Sequence, residues 1–350
     1  MNNFTGVIAD VRSEAQKLLD WKTQEMSSGL APSVFADSPQ IITSPYPLEN
    51  QQATSSCIPH GVTLAYGIET QKINKAFARL SKMMPYRLRS NYPGEGMYLQ
   101  ECMNIMNNVG SCLFETMPDV TDENTANSLV ISPEAYNEGL IYAGVSYYSF
   151  TDSTDFDLMA QFASNNFAVP IVIWASLNEW VQQYVNPTDT TITEETAVVQ
   201  HCICVLPNGN FTINGTRYVT IQDSEPWGGF QIRYVSEAFI RARCKDAAVF
   251  IKENLQFGIG SEPIHTFDTT QTLSLGMTGA EVTALQNVLI YEGLLPANLN
   301  TSYFGGRTYA GVKAFQDRYA SDILTLNGLT SSTGIAGPAT LAKMNSLYGS

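Results

Sequence analysis

Cys57, in the run SSCIPHGVTLAYG, stands where a thiol can serve as a nucleophile. A polar, turn-like stretch precedes it, Pro59 follows two residues on, and an apolar-periodic segment lies behind. Proline is favoured in the first turn of a helix, where its missing N–H loses nothing. Cys57 is therefore expected at a helix start, beside free backbone N–H groups and the positive end of the helix dipole. A free thiol has a pKa of roughly 8.5, so it needs such a device and a nearby base to react as thiolate. The competing reading is a buried cysteine packed as a small hydrophobe.

Three histidines are available as that base. His60 lies three residues along the same helix, poorly placed to meet the thiol while leaving room for a substrate. His265 falls in a polar, Pro/Thr-rich run and reads as a solvated loop residue. His201 sits on a strand-like run, HCICV, 144 residues beyond the cysteine (201 − 57), and just upstream of IQDSEPWGG. Asp223 in that segment is the candidate to hold the second imidazole nitrogen and fix its tautomer. Cys202 and Cys204 share one face of the strand while His201 points the other way, so these three do not converge as metal ligands. No metal and no cofactor are expected.

The elements that must position these groups follow from periodicity. Residues 1–30 read as a helix with Val7, Ile8, Val11, Ala15, Leu18 and Leu19 on one stripe. A second helix is expected over 55–83, then the turn NYPGEG, then a third helix over YLQECMNIMNNVG stopped by Gly110. DFDLMAQFASNN reads as helix and AVPIVIWASL as a strand with Pro170 at its beginning. From there AVVQHCICVLPNGNFTI, RYVTIQDS and FQIRYVSEAFI alternate as strands, with PNGN predicting a hairpin. A helix-rich half followed by a sheet half points to an α+β fold. Residues 260–271 read as a linker. Residues 272–350 form a helical unit with an internal echo, in which GMTGAEVTALQNVL, GGRTYAGVKAFQDRY and GIAGPATLAKMNSL each open on Gly and Thr.

The order and spacing of Cys57 and His201 resemble those of the papain-like cysteine peptidases, in which ~130–150 residues separate the two. Asn50-Gln51 precedes Cys57 by the family's spacing. The resemblance implies that Gln51 and the backbone N–H of Cys57 form an oxyanion hole. YPGEGMYLQECMNIMNNVGSCLFETMP resembles the Gly-rich cleft segment of the family's bacterial branch, which would put Gly94 and Gly96 in the substrate cleft. IQDSEPWGG resembles the Asn-Ser-Trp-Gly segment, with Asp223 in the place of the Asn and Trp227 after an inserted Glu225-Pro226. The usual Cys-Gly-Ser-Cys-Trp is here Thr54-Ser55-Ser56-Cys57-Ile58, without the preceding cysteine or the following aromatic. Residues 272–350 resemble the small three-helix peptidoglycan-binding domain through Gly276, Gly279, Val282, Leu285-Gln286, Leu289, Gly293, YFGGRT, Val312, AFQ and GIAGPAT. Phe304, Arg307 and Tyr309 are its candidate wall-contacting residues.

The expected layout is an N-terminal helix at 1–30 acting as brace or short prosegment, a two-lobed papain-like peptidase at 31–259, a linker at 260–271 and the all-α wall-binding domain at 272–350. The implied substrate is a peptide or protein, with bacterial peptidoglycan as the second partner. The alternative is an inactive papain-like scaffold serving as a structural, wall-binding component such as a virion protein. A net charge of −14 argues against a nucleic-acid binder and against adsorption to anionic membranes or cell-wall polymers by charge alone. The start MNNFTGVIADVRSEAQ lacks a signal-peptide pattern, and no apolar run reaches the roughly 20 residues of a membrane span. Synthesis in a cytoplasm, with wall access by lysis, a carrier or particle assembly, is the expectation. The six cysteines are expected as reduced thiols.

Overall fold

The apolar stretch behind Cys57 folds as the principal helix of a computed structural model that describes residues 4–8, 10, 12, 13, 17, 20, 22, 23, 30–74, 76–251, 263–295 and 300–349. The chain divides into two units, Met1–Val11 with Leu30–Glu253, and Arg12–Gly29 with Asn254–Ser350. Among the described residues no helix is long and apolar enough to cross a membrane.

The first unit begins with a short strand, β1 (Phe4–Thr5). Its main helix is α1 (Cys57–Asn74), followed by α2 (Met83–Arg87), α3 (Leu99–Asn108), α4 (Glu123–Ser128) and α5 (Pro133–Ile141). Ile58, Val62, Ala65 and Tyr66 of α1 are buried in a core shared with Met83, Met84, Met103 and Phe250. The expected helix over 55–83 is thus two helices with an extended stretch between them, where Leu80 bridges Leu113. Gly110 has φ of 71° and packs so closely on the Gly139 carbonyl that a side chain there would collide with it. That is the stop the sequence predicts.

Strands dominate the rest of the unit, as expected for an α+β chain. They are β2 (Ser146–Ser149), β3 (Val169–Ala175), β4 (Tyr184–Val185), β5 (Val199–Val205), β6 (Phe211–Ile213), β7 (Thr216–Gln222), β8 (Ile232–Ser236) and β9 (Cys244–Ile251). Three helices interrupt them, α6 (Phe156–Ser164), α7 (Leu177–Trp180) and α8 (Glu237–Arg243). The described strands form one sheet in the order β2-β9-β3-β5-β7-β8-β4, with β1 beside β5 and β6 beside β7. The register of β3 on β5 sets Ile173 opposite His201 in mid-strand.

Two expectations fail here. PNGN does not close a hairpin, because β5 and β6 on either side of it both pair with β7. The tight hairpin is β6–β7, turned by Asn214 and Gly215 at φ of 51° and 80°. The N-terminal helix also fails at its start, whereas further along Lys17 is helical and its N–H donates to the Ser13 carbonyl at 3.0 Å. Phe4–Thr5 is a strand parallel to Val199–Gln200, and Val7 bridges Met97. Most of the remaining positions assigned to that helix, and residues 260–262 of the predicted linker, lie outside the described residues, while the rest of that stretch is packed rather than free, with Phe267 in the core of the second unit.

The second unit contains α9 (Ala280–Tyr291), α10 (Gly306–Arg318), a short α11 (Ala320–Ile323) and α12 (Pro338–Tyr348). Leu285, Leu289, Phe304, Val312, Phe315, Leu341 and Met344 fill its core. The internal echo has a structural basis. Gln286 in α9 accepts from the backbone N–H groups of Thr301 and Ser302 and donates to the Tyr303 carbonyl and Thr308. Gln316 in α10 repeats this one element later, on Thr333 N–H, Gly334 N–H, the Ile335 carbonyl and Thr340.

Candidate active site

Cys57 is the first residue of α1, with Pro59 in the first turn. From β5, His201 faces Cys57 on one side, close enough for the thiol to help favour its imidazolium. On the other, its Nε2 lies 2.6 Å from Asp223 Oδ1 at the end of β7. Gln51 reaches the same place from the preceding loop, its Oε1 accepting from Ser224 Oγ at 2.8 Å and its Nε2 donating to the Thr54 carbonyl at 3.1 Å. The four residues singled out in sequence are therefore brought together. Trp227 also arrives, its ring centroid 5.9 Å from that of His201 despite the inserted Glu225-Pro226.

The surroundings decide the charges. Asp223 is wholly buried. Burial alone would raise its pKa, but the His201 charge and hydrogen bond, then Arg233 and the Glu225 N–H, hold it below the usual carboxylate range. Burial alone would lower the pKa of His201, but the Asp223 charge and hydrogen bond, with a smaller part from Cys57, push it up to about 10. The imidazolium is the favoured form. Burial raises the thiols of Cys102, Cys112, Cys202, Cys204 and Cys244, which fits small hydrophobes. All six cysteines are unbridged.

The other histidines are engaged elsewhere. His60 Nδ1 lies 2.9 Å from the Ser56 carbonyl and its Nε2 faces Asp119 at 3.4 Å. In the second unit, His265 pairs with Glu281 at 3.1 Å instead of lying free in solvent.

Three participants were missed in the sequence. Trp180 donates Nε1–H to Asp223 Oδ2 at 3.1 Å and sets its ring edge-on to His201. Arg233 Nε donates to the same oxygen at 3.2 Å. Met97 is the third. Its N–H donates to the Gly6 carbonyl and its carbonyl accepts from the Ile8 N–H, at 3.2 and 3.1 Å. Gly94 and Gly96, expected to line the cleft, shape the turn before Met97, with Gly96 at φ of 71°. An arginine inside the apolar alternation of FQIRYV was the available signal for Arg233.

The ladder on Met97 draws residues 6–8 across the thiol. Cys57 is 1% exposed. A Cβ on Gly6 would lie 2.5 Å from Cys57 Sγ and 3.0 Å from the Ser55 carbonyl, so only glycine fits there. In the second unit, Phe304 is fully buried, which corrects its assignment as a wall-contacting residue, since its ring fills the core. Arg307 is also buried. Tyr309 packs on Gly334, where a Cβ would come within 2.2 Å of the ring.

The first unit has the papain-like cysteine protease fold, and the second carries a peptidoglycan-binding module. Residues 278–344 match the family model described as "Putative peptidoglycan binding domain". Among solved structures, the chain is similar to xylellain, a cysteine protease from Xylella fastidiosa. The TM-score is 0.55 at 16% identity, covering 70% of this chain and 94% of that one. It is also similar to digestive procathepsin L 3 of Tenebrio molitor larval midgut, with a TM-score of 0.50 at 15% identity, over 70% of this chain and 76% of that one. No curated protein sequence matches the chain.

Proposed function

We propose that the chain is a cysteine endopeptidase directed to the bacterial cell wall by residues 272–350, cleaving wall peptides or wall-associated proteins. Cys57 attacks the scissile carbonyl as thiolate, and His201, held protonated beside Asp223, delivers its proton to the leaving amine. The oxyanion is received by the Cys57 backbone N–H at the helix start and by the Gln51 Nε2–H that Thr54 does not use. The observation that carries this reading is His201, hydrogen-bonded to buried Asp223 and facing Cys57 on its other side, with Gln51 held beside Asp223 by Ser224. Tyr309, half-buried, remains the candidate for wall contact. A wall-bound enzyme meets its substrate at raised local concentration.

Residues 4–8 act in this reading as an occluding segment, not as a helical brace. Gly6→Val places a branched side chain against Sγ and expels the segment. The expected result is at least a tenfold faster reaction of Cys57 with a small alkylating agent; an unchanged rate would return the segment to the role of brace.

The covered thiol also fits the second reading, a non-catalytic binding scaffold. Intact-mass labelling with an epoxysuccinyl inhibitor of papain-like enzymes separates the two. A stoichiometric adduct on Cys57 in the Gly6→Val chain, abolished by His201→Ala, is expected of the peptidase. Absence of any adduct in that opened chain would leave the scaffold as the reading.

A further inference from the structure

The family pattern has a neutral amide where this chain has Asp223, and a carboxylate buried away from water needs compensation. Arg233 on β8 supplies it. Both side chains are 0% exposed. Asp223 Oδ1 accepts from His201 Nε2 at 2.6 Å and from the Glu225 N–H at 2.8 Å. Its Oδ2 accepts from Trp180 Nε1 at 3.1 Å and Arg233 Nε at 3.2 Å. The remaining Arg233 nitrogens donate to the Gln182 carbonyl at 3.1 Å and the Trp227 carbonyl at 2.5 Å. One guanidinium thus ties the carboxylate to the backbone of the segment before β4 and to the residue whose ring lies against His201.

We propose that Arg233 is a positioning residue that fixes the plane of the Asp223 carboxylate and offsets part of the charge it presents to His201. The inference rests on the peptidase reading for its purpose, though not for its test. Without Arg233, His201 would face a carboxylate tempered only by Trp180 and the Glu225 N–H, and would hold its proton more tightly against transfer to a leaving group. The charged and titratable groups facing His201 are Cys57 from α1, Asp223 and Glu225 from the β7–β8 connection, and Arg233 acting through Asp223. Glu225 adds negative charge and makes the offset more necessary.

The test follows the His201 imidazole by NMR in the full-length chain carrying Cys57→Ser, which removes the thiolate and any self-cleavage. His201 is one of three histidines, so its resonance is assigned by substitution. Arg233→Met is expected to raise its titration midpoint by about one pH unit, a tenfold gain in proton affinity. Arg233→Lys, which keeps the charge, should stay near the parent, and Asp223→Asn with Arg233→Met should fall below it. Should Arg233→Met fail to fold, the double variant is expected to fold, because neither charge is then left alone. An unchanged midpoint in folded Arg233→Met, a Lys variant that behaves like Met, or a double variant no more stable than Arg233→Met would each overturn the proposal. Because no readout requires turnover, failure of the peptidase reading, seen in the labelling of Cys57, is told apart from failure of this one.

Discussion

Asp223→Ala, in the chain opened by Gly6→Val, lowers kcat/KM by about 10³-fold or more and destabilises the first unit by about 3–5 kcal/mol. The catalytic loss follows from its two roles, orienting the imidazole and favouring its protonated form, and orienting carboxylates of this kind carry about four orders of magnitude in related triads. The stability loss has a separate origin. Removing the carboxylate leaves Arg233 wholly buried with a full charge and no counter-ion, the costly way to break a buried pair. A pH signature distinguishes the two. The folded-state pKa of His201 lies above its unfolded value of about 6.5, so its contribution is fully present below pH ~6.5 and is lost as pH rises through about 10. Across that window the native chain should lose about 1.4 kcal/mol of stability per pH unit from this group. In Asp223→Ala the loss should flatten. Asp223 itself has a lowered folded pKa, so its contribution is present above the unfolded value of about 3.9 and is lost as the chain is acidified through the folded one. Denaturant unfolding between pH 5 and 10, beside steady-state kinetics, checks both. A variant with native stability and an unflattened pH slope would remove the buried ion pair from the account.

Gln316→Ala has the second-largest expected effect, confined to the C-terminal unit. The Gln316 side chain satisfies two backbone N–H groups and the Ile335 carbonyl, and it reaches Thr340 as well. It is 2% exposed, so truncation leaves the Thr333 and Gly334 N–H groups without this acceptor, while the Ile335 carbonyl keeps the Gly337 N–H. Each such group costs about 1–3 kcal/mol, and a domain of this size commands only about 4–12 kcal/mol in total. Calorimetry of the full chain should lose or sharply lower the transition of residues 254–350 and retain that of the first unit. Gln286→Ala should do the same, because Gln286 makes the matching clamp. A full-height, unshifted C-terminal transition in both variants would show that the clamps contribute little.

What could be read in the sequence was what depends on local signals. Cys57 was marked by its turn and by Pro59, His201 by a strand run, Asp223 by the segment after the next strand, and the two Gln clamps by a visible echo. Trp180 and Met97 carry no such mark, and Arg233 carries only its oddity as an arginine within an apolar strand. Their roles arise from pairings distant in sequence, such as β7 on β8, which brings Arg233 beneath Asp223. The strand at Phe4–Thr5 was read as helix because Val7, Ile8 and Val11 suit one face of a helix. Pairing with Val199–Gln200 and Met97 overrides that local preference. Phe304 was misjudged because an aromatic beside two glycines looks like a surface turn. Its ring is instead what those tight turns enclose.

The position of β9 bears on how the chain comes to be folded. It lies between β2 and β3, yet it is the last strand of the sheet to be synthesised. Until Cys244–Ile251 leaves the ribosome, β2 has no neighbour and β3 presents an open edge to whatever strand comes near. Sheet closure is therefore a late event with high contact order, whereas the C-terminal unit is tied by clamps that span short stretches of chain and follows at once. The nascent first unit therefore spends the interval before residue 251 with its most aggregation-prone strand edges open, although β5, which carries His201, already has β1, β3 and β7 to pair with.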